Sequence, residues 1–400
     1  MREYYDNCCS LPEVVTLAGK KMNVDELINL LRSGKLDGKI YDETYFNTAD
    51  QLKEAVSGAF PDTEWSDGQN TLWAKLTHNI YTFSGAKNYN ELLAYRAAMM
   101  DNDGNLVSYE KFRQRVTRIG EEFNDHYLRT EYNSAARFAE MAEKWDYLKK
   151  FNVLEYRTVQ DDKVRESHEK LHGKRFKTDD PIWDVIYPPN DWGCRCTVIS
   201  AQGKPVDDPK SISANISKDV IKPYFRRNIG KEQIIFDDNH PFLKGKRKQL
   251  TAVNYYGMRT SVEIFRDKEA LPGIRFFTKR EQAQSWFNAI KEKPIKAIDG
   301  VSVMLDKYFE RKIVKKGKLK YKDRFMYAHT SVDVLQTADE VWSTNNGGKI
   351  QNTYIKYFKD GAYVFVLLEK TGKMIFKTFF KSETRQGLED LRKGVLKHRK

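Results

Sequence analysis

Between Leu72 and Tyr147 the apolar residues recur at steps of mostly three or four. Phe112, Val116, Ile119, Phe123, Tyr127, Ala135, Phe138, Ala142 and Trp145 carry the pattern, with Lys, Arg and Glu between them. Such a period keeps one stripe of a helix apolar, so one or two long amphipathic helices are predicted here, packed on each other. Shorter helices are predicted over residues 24–33 and 48–59, the second capped by Thr48. From 151 to 245 no period persists, and the aromatics, prolines and dense polar groups argue for a compact, loop-rich core. Beyond the lysine-rich stretch Lys244-Gly245-Lys246-Arg247-Lys248, helices are predicted over Thr278–Ile290 and Val332–Trp342. Strands follow over Thr353–Phe358, Ala362–Leu368 and Met374–Phe380, the last two joined by a turn around Thr371-Gly372-Lys373. The fold class is therefore α+β: a helical N-terminal region, a loop-rich centre, and a separate small α+β domain with an antiparallel sheet at the C-terminus. The predicted boundaries are an arm over 1–69, a central domain over 70–245, a basic linker over 246–254 and a basic domain over 255–400.

Charge sharpens this division. Residues 301–400 hold 22 Lys and Arg against 11 Asp and Glu, so nearly all of the formal net charge of +13 belongs to the C-terminal domain. A field of that sign attracts phosphate backbones. With 31% charged residues and no run near the roughly 20 apolar residues of a membrane span, no membrane partner is expected. The start, Met1-Arg2-Glu3-Tyr4-Tyr5-Asp6, lacks the apolar run of a signal peptide, so synthesis in a cytoplasm is expected.

Two stretches suggest metal chemistry. Asp101, Asp103, Gly104, Asn105, Leu106 and Glu110 fit an EF-hand frame, but its first position is Met99, and a polar turn capping the next helix explains the same residues. The four cysteines fall in tight pairs, Cys8-Cys9 and Cys194/Cys196, unlike a secreted disulfide framework. His168, Cys194 and Cys196 offer three ligands for a structural zinc, with His172, Asp161 or Asp162 as a fourth. Against zinc, Cys-x-Cys is a poor spacing. The other reading makes both cysteines small buried residues of a tight turn, His168 a core histidine, and Arg195 a donor to Asp161 or Asp162.

The central segment runs Tyr156-Arg157-Thr158, Asp161-Asp162-Lys163-Val164-Arg165, His168, Leu171, Gly173, Asp179-Asp180-Pro181, then Tyr187-Pro188-Pro189-Asn190-Asp191-Trp192-Gly193-Cys194-Arg195-Cys196. In order and spacing this string resembles the head morphogenesis family typified by the phage Mu F protein. Phe83-Ser84-Gly85-Ala86-Lys87, Tyr127–Asn133, Phe225–Gly230 and His240-Pro241 extend the resemblance over roughly 70–245. It implies a bacteriophage minor capsid protein made in the host cytoplasm and carried in the virion. Such a protein sits near the portal, has the portal protein and other head proteins as partners, and acts in head assembly, DNA packaging or delivery. Arg157, Asp162, Arg165, Gly173, Asp180, Gly193 and Arg195 form the structural motif, with Arg157, Asp162, Arg165 and Asp180 expected in buried ion pairs.

In the basic domain, Arg324, Val334–Trp342, Tyr354-Ile355-Lys356 and Lys377-Thr378-Phe379-Phe380 resemble the phage-associated nuclease-like domains grouped with barnase, EndoU, colicin and RelE toxins. That resemblance implies a metal-independent RNase that requires no cofactor. The chemistry needs a base, an acid and cations for the phosphorane charge. His329 is the candidate acid or base, Arg324 and Lys377 the phosphate-binding cations, and Tyr354 or Thr378 the assisting hydroxyl. Lys320, Lys356 and Lys373 join Arg324 and Lys377 as expected contacts to phage DNA or host RNA. The rival expectation is a purely structural virion protein whose basic domain binds packaged DNA or docks on the portal without catalysis.

Overall fold

The computed structural model describes residues 23–61, 64–205, 207, 221–244, 256–315, 323–382 and 385–400. Cys8, Cys9 and Lys320 lie outside them, as does most of the lysine-rich boundary stretch. Two compact units emerge: Met1–Asp62 with Phe83–Lys246, and Thr63–Thr82 with Arg247–Lys400. The predicted arm and central domain are thus largely one unit, while residues 70–82, predicted to belong to the central domain, cluster with the C-terminal one.

The first unit begins with α1 (Val24–Arg32), where the Asn23 side chain accepts from the Glu26 amide and acidic residues fill the first turn. Helix α2 (Asp42–Ser57) starts earlier than predicted, and Thr48 lies buried within it rather than capping it. The long apolar pattern resolves into α3 (Asp67–Ala98), α4 (Tyr109–Glu121), a π-helical turn (Glu122–Tyr127) and α5 (Leu128–Leu148). Between α3 and α4 the Asp101 carboxylate accepts from the amides of Asp103 and Asn105 at 3.0 and 2.8 Å, which makes the loop a self-capped turn. Leu27, Ile28 and Leu31 of α1 pack with Leu92, Tyr95, Phe112 and Val116 in one core.

The loop-rich centre then folds around a small antiparallel sheet. Strand β1 (Val153–Arg157) lies between β2 (Arg175–Lys177) and β3 (Thr197–Ser200), with short helices α6 (Glu166–Glu169) and α7 (Trp183–Ile186) in the connections. Helix α8 (Ile229–Glu232) presses on α5 so closely that a Cβ at Gly230 would fall 2.1 Å from the Trp145 Cβ.

His240 is fully buried among Phe83, Tyr224, Phe236 and Phe242, and its Nδ1 accepts from the Phe242 amide at 3.2 Å. Burial, aided by the charges of Lys87 and Arg227, holds its pKa well below the ordinary 6.5. The folded chain keeps this ring neutral while the unfolded chain takes up a proton, so its stabilising contribution is complete above the unfolded pKa and declines as pH falls below it. From pH 7 to pH 5 the loss should be about 2 kcal/mol. Denaturant unfolding across that range should show it in the wild type and not in His240→Gln; parallel curves would refute the assignment.

The second unit holds a five-stranded antiparallel sheet of β6 (Glu340–Asn346), β7 (Lys349–Phe358), β8 (Gly361–Lys370), β9 (Lys373–Ser382) and β10 (Val395–Arg399). Across the sheet they run in the order β10-β6-β7-β8-β9. Gly347 and Gly348 turn between β6 and β7 with φ of 61° and 81°, and Thr371 and Gly372 between β8 and β9 with 52° and 75°. Positive φ at both central residues gives the turn whose twist matches paired strands. Helices α9 (Ser261–Arg266), α10 (Arg280–Ile290), α11 (Thr330–Gln336) and α12 (Arg385–Glu389) accompany the sheet, with a minor hairpin of β4 (Ile295–Lys296) and β5 (Ser302–Val303). The helix predicted over Val332–Trp342 therefore ends at Gln336, and its last residues enter β6.

Candidate functional site

In the first unit, the pairing of β1 with β3 fixes Thr197 opposite Arg157 and so sets the chain just before it. Gly193, with φ of 66°, supplies the left-handed residue that turns the chain into Cys194. From there burial alternates: Cys194 and Cys196 are buried and Arg195 is exposed. His168 on α6 is buried against them, and its Nδ1 lies 3.7 Å from each sulfur. The three candidate ligand atoms fall within 4.8 Å of one another. The partnership with Cys196, and then His168, draws the Cys194 thiol well below its ordinary 9.0 despite burial, while Cys196 is pushed up.

The residues around this cluster hold the backbone. Arg195 donates twice to Asp161, at 2.6 and 2.7 Å, and Arg137 donates to the carbonyls of Arg195 and Cys196. Arg165 pairs with Asp191 at 3.3 Å and donates to the Trp192 carbonyl, while Arg157 pairs with Glu155 at 2.6 Å. Arg157 and Arg165 thus pair with carboxylates other than Asp162 and Asp180, whose expected buried ion pairs are corrected. The carboxylates are Glu155 and Asp191; Asp180 caps the Ile182 amide, and Asp162 is exposed. Gly173, with φ of 75°, lets its amide reach the Tyr156 carbonyl at 2.8 Å.

In the second unit the predicted catalytic set divides across the sheet. The register of β7, β8 and β9 aligns Thr353, Val366 and Thr378 on one face and Tyr354, Phe365 and Phe379 on the other. Lys377 sits at a register shift and bonds Gln351 at 2.7 Å, and Arg324 lies over the Phe380 ring at 5.9 Å. Lys377 and Thr378 therefore lie within β9, and Arg324 packs over Phe380 further along the same strand. Tyr354 does not join them: it is fully buried and donates to Asp299 at 2.9 Å, which corrects its expected role as a hydroxyl facing substrate. His329 stands at the start of α11, half-buried, with its ring 4.7 Å from Phe277. Burial lowers its pKa, against Asp333 and the Arg275 backbone. Lys356 donates to Thr337 and Lys373 pairs with Asp67.

A buried polar network escaped prediction. Asp299, in the turn between β4 and β5, accepts from Asn352 at 2.9 Å, Tyr354 at 2.9 Å and Lys397 at 2.6 Å. Asn352 in turn accepts from Ser343, whose hydroxyl lies 3.0 Å from His78 Nδ1. Lys397 falls at the register shift between Leu396 and His398, where an extra residue re-aims a side chain. None of it was read from the sequence, although an Asp-Gly pair such as Asp299-Gly300 marks a turn. With Asp299, Asn352 and Lys397 all buried, the network braces the fold.

Each unit has a counterpart among known proteins. Residues 96–199 match the family model described as Phage Mu protein F like protein, a span that contains the whole His168, Cys194 and Cys196 cluster. Residues 274–399 match the model described as phage-Barnase-EndoU-ColicinE5/D-RelE like nuclease2. The chain therefore joins a phage Mu F-like domain to a phage nuclease-like domain. In particular, it is 45% identical over 71 residues to the "Mu-like prophage FluMu F protein" of Haemophilus influenzae, covering 18% of this chain and 17% of that one. It is 35% identical over 100 residues to the "Putative capsid assembly protein F" of Escherichia phage Mu, covering 25% and 21%. The chain thus spans about a fifth of the length of these curated relatives. No solved structure matches. No helix among the described residues is long and apolar enough to cross a membrane.

Proposed function

We propose that this chain is a minor head protein of a tailed phage or prophage. In this reading it is carried in the virion near the portal, with the portal protein and other head proteins as partners, and acts in head assembly, packaging or DNA delivery. Its second unit is a passenger ribonuclease. The observation that carries this is the union in one chain of a Mu F-like domain with a nuclease-like domain that holds nearly all the net positive charge. Cleavage would proceed by attack of the RNA 2′-hydroxyl on phosphorus. A base takes the 2′ proton, the bond to the 5′-oxygen breaks, and an acid protonates that oxygen. His329 is the candidate for proton transfer, with Arg324 and Lys377 for phosphate and Thr378 as a donor beside them.

Full-length chain incubated with labelled single-stranded RNA and DNA in EDTA tests this. RNA cleavage should survive the chelator and fall at least about a hundredfold in the Arg324→Ala/His329→Ala/Lys377→Ala variant. A second reading, nucleic-acid binding without cleavage, is favoured by one observation: the net positive charge concentrated in residues 301–400 attracts a phosphate backbone whatever the particular side chains. Intact RNA together with salt-dependent binding that follows net charge rather than particular side chains would support that reading instead.

A further inference from the structure

We propose that His168, Cys194 and Cys196 bind zinc through His168 Nδ1 and the two sulfurs, with water as the fourth ligand. Both sulfurs lie 3.7 Å from the same ring nitrogen. A tetrahedral zinc with Zn–S near 2.3 Å and Zn–N near 2.05 Å sets ligand nitrogen and sulfur about 3.6 Å apart. One imidazole nitrogen offers a single proton or a single lone pair, so it cannot serve two thiols fully as a hydrogen-bond partner. A cation among the three atoms serves all of them. All three side chains are buried, where thiolates need a compensating charge.

The alternation through residues 194–196 answers the objection to Cys-x-Cys spacing. Cys194 and Cys196 are turned inward together, while Arg195 points out and is held by Asp161. The fourth ligands suggested by the sequence are engaged elsewhere: His172 Nδ1 accepts from the Thr158 amide at 3.1 Å, Asp161 binds Arg195, and Asp162 is exposed. What borders the cluster is a cavity of about 10 Å³ lined by Val159, Lys163, Val164, Arg165, Gly193 and Arg195. That is space for about one water. Two thiolates and an imidazole suit zinc over hard cations. The ion would fasten α6 to the chain entering β3, in a segment with little regular structure, and its binding free energy would add to folding.

The experiment uses the full-length chain, purified without chelators from zinc-supplemented cells and assayed for metal by mass spectrometry. About one zinc per chain is expected, falling to background in Cys194→Ser/Cys196→Ser and retained in Arg195→Ala. Because the double variant risks misfolding, wild-type chain stripped of metal is also titrated with cobalt(II). Thiolate-to-cobalt charge transfer together with strong tetrahedral ligand-field bands supports the site. Wild-type chain at the zinc level of the double variant, or cobalt bound without the thiolate band, overturns it. Neither readout depends on nuclease activity or head assembly.

Discussion

Replacing Trp73 with alanine should destabilise the nuclease-like unit by about 3–5 kcal/mol and leave the Mu F-like unit nearly untouched. Trp73 stands 226 positions before Asp299, yet its buried indole donates to the Asp299 carbonyl at 2.9 Å. It also occupies space that only a glycine leaves open: at Gly300, where φ is +92°, an added Cβ would fall 2.7 Å from Trp73 Nε1. Neighbouring residues of α3 fix the register. Asn70 bonds both backbone groups of Ser302, and Thr71 donates to the Gly372 carbonyl at 2.9 Å. The first part of α3 is therefore integral to the C-terminal unit, as the clustering of Thr63–Thr82 with Arg247–Lys400 records. Hydrogen exchange followed peptide by peptide would check this. Protection should fall across β4 to β9 in Trp73→Ala and hold across α4, α5 and β1. Unchanged protection in the sheet would mean that α3 only touches a unit that stands without it. The same logic makes a fragment beginning near residue 250 an unsuitable substitute for the whole chain in a nuclease assay.

The amphipathic helices and the strands from β7 to β9 were legible because apolar period and turn residues agreed there. β6 was not: Val334, Leu335, Val341 and Trp342 fit helical spacing, and only the break at Thr337-Ala338-Asp339 separates a short helix from a strand. β10 was hidden because Val395-Leu396-Lys397-His398-Arg399 reads as a polar tail, although Lys397 is turned inward to Asp299. His168, Cys194 and Cys196 could be found because thiol and imidazole are rare and chemically distinctive. The Asp299 network could not, since its members run from residue 78 to 397 and are common residue types. The expected ion pairs of Asp162 and Asp180 failed for a related reason. Motif spacing singled out the residues, but pairing is decided in three dimensions, and Glu155 and Asp191 are brought to Arg157 and Arg165 by β1 and the turn before Cys194. The same limit applies to the catalytic set. Strand alternation separates Tyr354 from Thr378, and that becomes visible only once the register is known.

Arg392→Ala should cost the C-terminal unit about 3–5 kcal/mol, because it strands a buried carboxylate. Arg392 is completely buried, and donates to Glu340 through Nε at 2.8 Å and Nη2 at 2.5 Å, with Nη1 3.1 Å from Glu389. Glu340 also accepts from Trp342 Nε1 at 2.7 Å and the Tyr357 hydroxyl at 2.8 Å, so it joins β6, β7 and the segment before β10. Glu389 accepts from the Ser261 amide at 2.8 Å and ties α9 into the same cluster. Removing Glu340 together with Arg392, as Arg392→Met/Glu340→Leu, should recover part of the loss but not all of it. The charge is then gone from both sides, yet the Trp342 N–H and the Tyr357 hydroxyl lose their acceptor. A double-mutant cycle read by denaturant unfolding would separate these contributions. A single-variant loss below about 1 kcal/mol would place the pair among solvated ones. The comparison also protects the functional test. Arg392→Ala should reduce any RNA cleavage only in step with the unfolded fraction, whereas Arg324→Ala/His329→Ala/Lys377→Ala should abolish cleavage in a chain whose unfolding midpoint is little changed. If both sets lose activity only as they unfold, Arg324, His329 and Lys377 hold the unit together and the chemistry lies elsewhere.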